Sequence, residues 1–581
     1  MKKSNSIALF IKLTIKLLLW GIGVATTASV VPQPVLAAER IKFNYGILGF
    51  SLSVDALELF AEEGIINDEL HFYTKRLDEQ TVKQLHRILS RQINIDPILL
   101  YRLTRSPMVV EILENLGKVA TTHRGHNGFH AIRASIINSA IAKPKTGITS
   151  IDVLRTFPTE NIWLDTAKLI ELREELTILL EYREAIRDLV VRQAELEASL
   201  TTANSFLPQL DLRQPGSIDF TQQTITINSR VADIDSGVRS HEPFRAKLYL
   251  PQGLSRTVPI AILSHGFGSE PRAFNYLGEH LASHGIAAVS VEHLGSDSDY
   301  ELEILEGAKK RAISSREFIE RPLDIHYVLD ELERLNQSDP NLKGTLDLER
   351  VGMIGHSLGG YTTLALAGAE ININRLQQQC PNKKISLNIS LLMQCRAKDL
   401  IPKRQLADSR IKGAIAISPI VSGIFGKENL SDISIPTAII SGSEDIIAPV
   451  VQEQVYPFTW LSAKDRYLAM MIPGDHFSGS NLPRKKPADH TIIEEFVLKD
   501  TATHIGKRLS NGQSYIKAFA VAFIKAHIEG DSKYLSYLSA SYARNISSSK
   551  IDFNVIRSLD LELLEREYDD SLRVILPTIK Q

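Results

Sequence analysis

The chain has 581 residues, enough for two or three domains, and its 44% hydrophobic and 23% charged residues are typical of a globular protein. This composition excludes a disordered chain and a protein with many membrane spans. The formal net charge of −2 argues against a nucleic-acid partner, which would require a basic surface.

The N-terminal segment has a composition of its own. The apolar run 17–24 follows four lysines and precedes small residues up to Ala38. This order is typical of a signal peptide, which we place at 1–38 with cleavage near Ala37 or Ala38. We therefore expect an exported protein, periplasmic or secreted. An uncleaved membrane anchor is the alternative.

Residues 39–200 have the spacing of amphipathic helices joined by short loops. Asp78 is suited to cap one helix and Pro107 to open another, and 166–200 forms a long, highly charged helix candidate. We therefore predict an all-α N-terminal domain over 39–200. A structural or interaction role is the default for such a domain.

Three histidines, His123, His126 and His130, lie close together in this domain. A metal site built on them would need a carboxylate or cysteine nearby, and the sequence does not identify one. We therefore expect no metal site.

From about residue 222 the pattern changes to short β-like segments that alternate with helices. Such alternation predicts a mostly parallel sheet, here of about eight strands, within a domain over 201–530. Residues 369–410 would form an insert or cap on that domain. Residues 531–581 would form a C-terminal extension.

The pentapeptide Gly355-His356-Ser357-Leu358-Gly359 follows a β-like segment and precedes a helix-like one. Strand, sharp turn and helix around G-x-S-x-G predict the nucleophile elbow of an α/β-hydrolase. Gly355 and Gly359 relieve crowding in the turn, and Ser357 is the candidate nucleophile. A plain strand-to-helix turn is the alternative.

A serine nucleophile needs a base, an acid that orients the base, and an oxyanion hole. Asp445 follows the predicted strand 435–442, and His476 lies on a loop after the next strand, so the order along the chain is serine, acid, base. Asp445 is the predicted acid, with Glu444 as its competitor, and His476 is the predicted base.

The oxyanion hole requires two backbone N–H donors. One is predicted at Leu358, directly after the nucleophile, and the other at Phe267, in the loop after the strand 259–263. His265 is expected to shape that loop. Arg321 and Asp324 are expected to brace the fold.

Cys380 and Cys395 are the two cysteines of the chain, and both lie in the predicted insert. In an exported protein they could form a disulfide, which would stabilise the fold by ~3 kcal/mol in the chain-entropy model. Two free thiols are the alternative.

The segments 264–268, 321–325 and 355–360 resemble the platelet-activating-factor acetylhydrolase and cutinase-like branch of the α/β-hydrolases. This resemblance covers about residues 215–530. The whole chain resembles cyanobacterial hydrolases that carry a helical N-terminal domain of unknown function. The resemblance implies an α/β-hydrolase fold and ester hydrolysis, but not a particular substrate.

We therefore expect a serine hydrolase of lipid or short-chain acyl esters, similar to a 1-alkyl-2-acetylglycerophosphocholine esterase, that needs no metal or organic cofactor. Its partner would be a small-molecule or lipid ester, with transient contact to a membrane surface as a further expectation. A polyester or cutin hydrolase, a peptidase and a non-catalytic binding protein are the alternatives. The oligomeric state does not follow from the sequence.

Overall fold

The computed structural model describes most of the chain, namely residues 37–75, 77–123, 125–200, 210–228, 243–306, 308, 313–380, 386–400, 405–479, 502–560 and 562–566. These residues divide into two compact units. The first takes its residues from Met1–Ile178, Glu303–Ala312 and Asn382–Leu387, and the second takes the remainder. The boundaries at 39, 201, 369–410 and 531 stay predictions.

The first unit combines short strands with helices. Its strands are β1 (Arg40–Tyr45), β2 (Leu48–Ser53), β3 (Ala120–His123), β4 (His126–Asn127) and β5 (Asn161–Leu164). Its helices are α1 (Val54–Glu63), α2 (Asp68–Thr74), α3 (Glu79–Ser90), α4 (Pro97–Leu103), α5 (Pro107–Val119), α6 (Phe129–Ala142), α7 (Ser150–Arg155) and α8 (Thr166–Leu176). As predicted, Asp78 caps α3 and Pro107 opens α5.

The prediction of an all-α N-terminal domain is wrong, because this unit contains a five-stranded sheet in the order β2-β1-β5-β3-β4. In β1, Ile41 and Phe43 are buried and alternate with the more exposed Arg40 and Lys42, which is the period of a strand. That period lasts for only six residues. The helices α1, α3, α5 and α6 of the same unit are longer, and their periodicity dominates the sequence pattern.

The remaining strands all belong to the second unit. They are β6 (Phe220–Ile227), β7 (Phe244–Pro251), β8 (Val258–Ser264), β9 (Ala287–Val291), β10 (Leu346–His356), β11 (Ile411–Ile417), β12 (Thr437–Gly442), β13 (Arg466–Ile472) and β14 (Asp552–Ile556).

The remaining helices follow in chain order. They are α9 (Arg183–Leu200), α10 (Asn275–Ser283), α11 (Ser298–Leu305), α12 (Glu317–Ser338), α13 (Leu358–Leu366), α14 (Ile373–Gln379), α15 (Ile389–Gln394), α16 (Gly426–Leu430), α17 (Tyr456–Trp460), α18 (Ala502–Phe523) and α19 (Ala540–Ile546). A π-helical turn, Thr177–Tyr182, separates α8 from α9 within the predicted long helix, and another, Val451–Val455, precedes α17.

The strands β6 to β14 form one sheet in the order β14-β13-β12-β11-β10-β8-β9-β7-β6. The six central strands, from β13 to β9 in that order, pair in parallel. At one edge β7 pairs antiparallel with β9 and with β6, and at the other edge β14 pairs antiparallel with β13. The α/β-hydrolase fold class is confirmed, with nine strands in the described part where about eight were predicted. The additional strand, β14, comes from the stretch 531–581.

Helices cover both faces of this sheet. On one face α10 and α18 pack with Leu277 and Phe519 into a core that also includes residues of β11 to β13. On the other face α12 packs with Val328 and Leu332 against β7 to β10. Burial on both faces explains why the central strands are almost continuously apolar. The parallel strands then end together at one edge of the sheet.

Residues 1–36 of the predicted signal peptide lie outside the described residues. Among the helices that are described, none combines the length and the hydropathy needed to cross a membrane.

Candidate functional site

Ser357 lies in the turn between β10 and α13 and is 7% exposed. Its backbone has φ 56° and ψ −115°, a conformation that residues other than glycine rarely adopt. A Cβ atom at Gly355 would lie 2.0 Å from the carbonyl oxygen of Gly359, and one at Gly359 would lie 2.0 Å from that of Ser264. Both positions therefore require glycine, as a nucleophile elbow does.

Asp445 and His476 lie in the loops that follow β12 and β13, at the same edge of the sheet as Ser357. The Nδ1 atom of His476 lies 2.8 Å from Oδ2 of Asp445, and both side chains are buried. Because a carboxylate only accepts, Nδ1 carries the proton and Nε2 is left as an acceptor. This is the tautomer that a general base needs.

The Asp445 carboxylate is held by further donors. Its Oδ1 accepts the backbone N–H groups of Ile447 and Ala448 at 3.0 and 2.8 Å, and its Oδ2 accepts from Nε2 of Gln454 at 3.0 Å. Glu444, the competing acid of the sequence analysis, is exposed. The geometry therefore favours Asp445 as the partner of the imidazole. Gln454 was not identified from the sequence, because nothing in a buried helical turn marks it as a contact of the acid.

His356 links the nucleophile turn to the base. Its Nε2 donates to the carbonyl oxygen of His476 at 2.8 Å, and the two rings lie 4.9 Å apart. Burial, together with the nearby His476, lowers the pKa of His356 to about 3, so this imidazole stays neutral. Sequence reasoning missed this role. The available signal was an imidazole at the variable position directly before the serine.

The two predicted oxyanion donors, Leu358 and Phe267, belong to segments that adjoin Ser357. Leu358 is the first residue of α13, where a backbone N–H has no partner within the helix. Phe267 follows Gly266, whose Cβ, if present, would lie 3.3 Å from the Cβ of Ser357. The loop after β8 therefore packs directly against the nucleophile. Within the described part of the chain, neither N–H donates a backbone hydrogen bond outside regular helices and strands.

The residues expected to brace the fold, Arg321 and Asp324, are both on α12 and both buried. Arg321 donates from Nη1 to the carbonyl oxygen of His265 at 2.6 Å. Asp324 accepts from Nδ1 of His293 at 2.8 Å. Arg321 therefore contacts the loop that carries Phe267, whereas Asp324 contacts the loop after β9.

The loop after β11 passes beside the nucleophile helix. Its apolar side chains Ile420, Val421, Ile424 and Phe425 are fully buried, and the Phe425 ring stacks on Tyr361 of α13 at 5.1 Å. A buried apolar cluster thus adjoins the helix that begins at the nucleophile.

Two buried side chains fix the backbone of this loop. Glu453 accepts the N–H groups of Val421 and Ser422 at 2.7 and 2.9 Å, and Oε1 of Gln394 accepts those of Gly423 and Ile424, both at 2.8 Å. Gln394 also donates to Glu453 at 3.0 Å, so the two anchors are joined.

Cys380 and Cys395 form a disulfide, which confirms that prediction. The bond joins the residue that directly follows α14 to the residue that directly follows α15. Cys395 directly follows Gln394, so the disulfide lies next to one anchor of the β11 loop.

Among the described residues, no three histidine, cysteine, aspartate or glutamate side chains form a group that could hold a metal ion. His123 and His126 contact each other with ring centroids 6.2 Å apart, on strands β3 and β4.

Comparisons with known proteins agree with this fold. A family model described as "Alpha/beta hydrolase of unknown function (DUF1400)" matches residues 37–165, which precede the nine-stranded sheet. Cutinase 1 of Thermobifida cellulosilytica is 22% identical over 291 residues, which cover 50% of this chain and 76% of that protein. A cutinase of Thermobifida fusca (strain YX) is also 22% identical, over 50% of this chain and 66% of its own length.

The platelet-activating factor acetylhydrolase of Cavia porcellus is 26% identical over 151 residues, which cover 20% of this chain and 34% of that protein. The sheet topology and the turn at Ser357 are those of an α/β-hydrolase, and the similarities support a carboxylic ester hydrolase that resembles cutinases and platelet-activating-factor acetylhydrolase.

Proposed function

We propose that the chain hydrolyses acyl esters through a catalytic triad of Ser357, His476 and Asp445. The observation that carries this proposal is the buried hydrogen bond between Asp445 and His476, next to a serine in an elbow turn. That bond leaves Nε2 of His476 free to take the serine proton.

In the first step Oγ of Ser357 bonds to the ester carbonyl carbon while its proton moves to Nε2 of His476. The carbonyl electron pair moves onto the oxygen, which the N–H groups of Phe267 and Leu358 stabilise by about 3–4 kcal/mol each. The C–O bond to the alcohol then breaks, and His476 gives its proton to the leaving alcohol. Water repeats the sequence on the acyl-enzyme and regenerates Ser357. Asp445 stabilises the imidazolium throughout.

Lipid or short-chain acyl esters are the substrate class that we propose. The similarity to a platelet-activating factor acetylhydrolase points to a short-chain phospholipid ester. Polyester hydrolysis of the cutin type is the second candidate, because the cutinase similarity spans a longer stretch of the chain.

The test is hydrolysis of p-nitrophenyl esters from C2 to C16, with Ser357→Ala as the matched variant. Turnover should disappear in the variant while its melting temperature stays close to that of the wild type. Wild-type turnover in the variant would refute the assignment of the nucleophile. A 2-acetyl-2-thio phospholipid and an aliphatic polyester film, assayed side by side, then separate the two substrate classes.

We place the enzyme outside the cytoplasm. The disulfide between Cys380 and Cys395 supports this location, because such bonds persist in oxidising compartments. N-terminal sequencing of protein recovered from cell fractions tests it. A mature chain that begins near residue 38 in an extracytoplasmic fraction is the expected result, and an intact N-terminus in the cytoplasm would contradict it.

A further inference from the structure

A fully buried arginine, Arg321, makes hydrogen bonds to the backbone of the loop that carries Phe267. Arg321 donates from Nη1 to the carbonyl oxygen of His265 at 2.6 Å and from Nη2 to that of Gly266 at 3.3 Å. Its Nε donates to Oγ of Ser296 at 2.8 Å. A guanidinium is a rigid planar fork, so three fixed contacts leave it one orientation.

The His265 ring also contacts the carbonyl oxygen of Gly266. Its Nδ1 lies 2.7 Å from the Gly266 oxygen and therefore carries a proton, since a carbonyl oxygen only accepts. Its Nε2 accepts the backbone N–H of His293 at 3.3 Å, so the ring is fixed on both sides. The Gly266 carbonyl thus has two donors, and one of them is a cation.

This carbonyl and the N–H of Phe267 belong to one peptide unit. In a planar trans peptide the C=O and the N–H point in opposite directions. Two donors that hold the Gly266 oxygen on one side therefore fix the Phe267 N–H on the other. Gly266 also lies against the nucleophile, because a Cβ atom placed on it would be 3.3 Å from the Cβ of Ser357. A cation on the carbonyl oxygen polarises the peptide further and makes its N–H a stronger donor.

A second set of side chains anchors the base of the same loop. Oγ of Ser264 lies 2.9 Å from Nε2 of His293, and Nδ1 of His293 lies 2.8 Å from Oδ2 of Asp324. The order serine, histidine, aspartate is that of a catalytic triad. Ser264 and His293 have no exposed surface, so no substrate reaches them and the set is structural. It ties the end of β8 to α12, the helix that supplies Arg321.

We propose that Arg321 and His265 are positioning residues that set the Phe267 N–H as an oxyanion donor, through the Gly266 carbonyl that they share. The inference rests on the proposed function. Arg321 lies on α12, a helix with no member of the proposed triad, so the binding of the transition state would also depend on that helix.

Two substitutions of His265 form a matched pair. In His265→Asn the amide nitrogen can occupy the place of Nδ1 and keep the donor to Gly266. In His265→Gln the amide reaches the place of Nε2 instead and the donor is lost. We expect kcat of H265Q to be about 10-fold below that of H265N, with KM within about twofold, since the affected donor acts on the oxyanion. The affinity for a trifluoromethyl ketone, which forms a tetrahedral adduct, should fall in parallel with kcat.

Arg321→Lys provides the second variant, because it keeps a cation but loses the fork. It should lower kcat and ketone affinity together while KM changes little. Equal kcat values for H265N and H265Q, or losses confined to KM and to the melting temperature, would overturn the inference. If Ser357→Ala kept wild-type turnover, the proposed function itself would fail. Loss of turnover in that variant with equal H265N and H265Q values would refute the positioning role alone.

Discussion

Replacement of Asp445 by asparagine separates the orienting role of the carboxylate from its contribution to the fold. The introduced amide has the same size, but it presents one acceptor and one donor where the carboxylate presents two acceptors. Its oxygen would stay on the backbone N–H groups of Ile447 and Ala448, because those donors cannot change. Its NH2 group would then face Gln454 and His476.

The two neighbours respond differently to that NH2 group. The amide of Gln454 cannot turn its oxygen toward it without loss, because its Nε2 also donates to the carbonyl oxygen of Ala448 at 2.7 Å. His476 can accept at Nδ1, but only if its proton moves to Nε2. That tautomer cannot take the proton of Ser357. We therefore expect kcat to fall by about 10⁴-fold, or about 5 kcal/mol in the barrier, in a protein that still folds.

The matched control is Glu444→Gln, which changes the exposed neighbour of the acid. Its kcat should stay within about twofold of the wild type, because surface substitutions away from a site have small effects. Initial rates with a p-nitrophenyl ester and thermal unfolding of both variants complete the assay. A kcat for Asp445→Asn within tenfold of the wild type, or a large loss in Glu444→Gln, would refute the assignment of the acid.

Three further predictions concern stability. Gly359→Ala should destabilise the fold by about 4 kcal/mol, because the new methyl group would lie 2.0 Å from the carbonyl oxygen of Ser264, and a melting temperature close to that of the wild type would count against the strained turn. The unfolding free energy should fall as pH drops below about 6.5, because the pKa of His356 is lowered to about 3 in the folded protein and the unfolded chain therefore binds the proton first. Urea unfolding at several pH values gives the slope of the unfolding free energy against pH. In His356→Gln that slope should be smaller by up to about 1.4 kcal/mol per pH unit, and an unchanged slope would refute this. Replacing Cys380 and Cys395 together by serine should cost ~3 kcal/mol in chemical unfolding, and equal stability with and without the bond would contradict the chain-entropy argument.

The sheet of the second unit could be predicted because parallel strands buried on both faces have short, nearly continuous apolar sequences. The positions of Ser357, Asp445 and His476 follow from the same rule, since parallel strands end at one edge of their sheet. Contacts between distant segments could not be predicted in this way. The hydrogen bond from Arg321 to Gly266 joins residues 55 positions apart, and no local pattern encodes it.

The small sheet of the first unit was missed for the same reason. Its strand β1 pairs in parallel with β5, so that Arg40 lies opposite Asn161. Strands of two to six residues leave no periodicity that outweighs that of the helices between them.

The π-helical turn Val451–Val455 carries two neighbouring residues that stabilise different parts of the site. Glu453 holds the backbone of the β11 loop, and Gln454 holds the carboxylate of Asp445. A substitution that moved this turn in order to reshape the β11 loop would also move the support of the acid. Laboratory evolution of substrate range should therefore find few tolerated changes in this turn, and successful variants should instead carry changes in the loop itself.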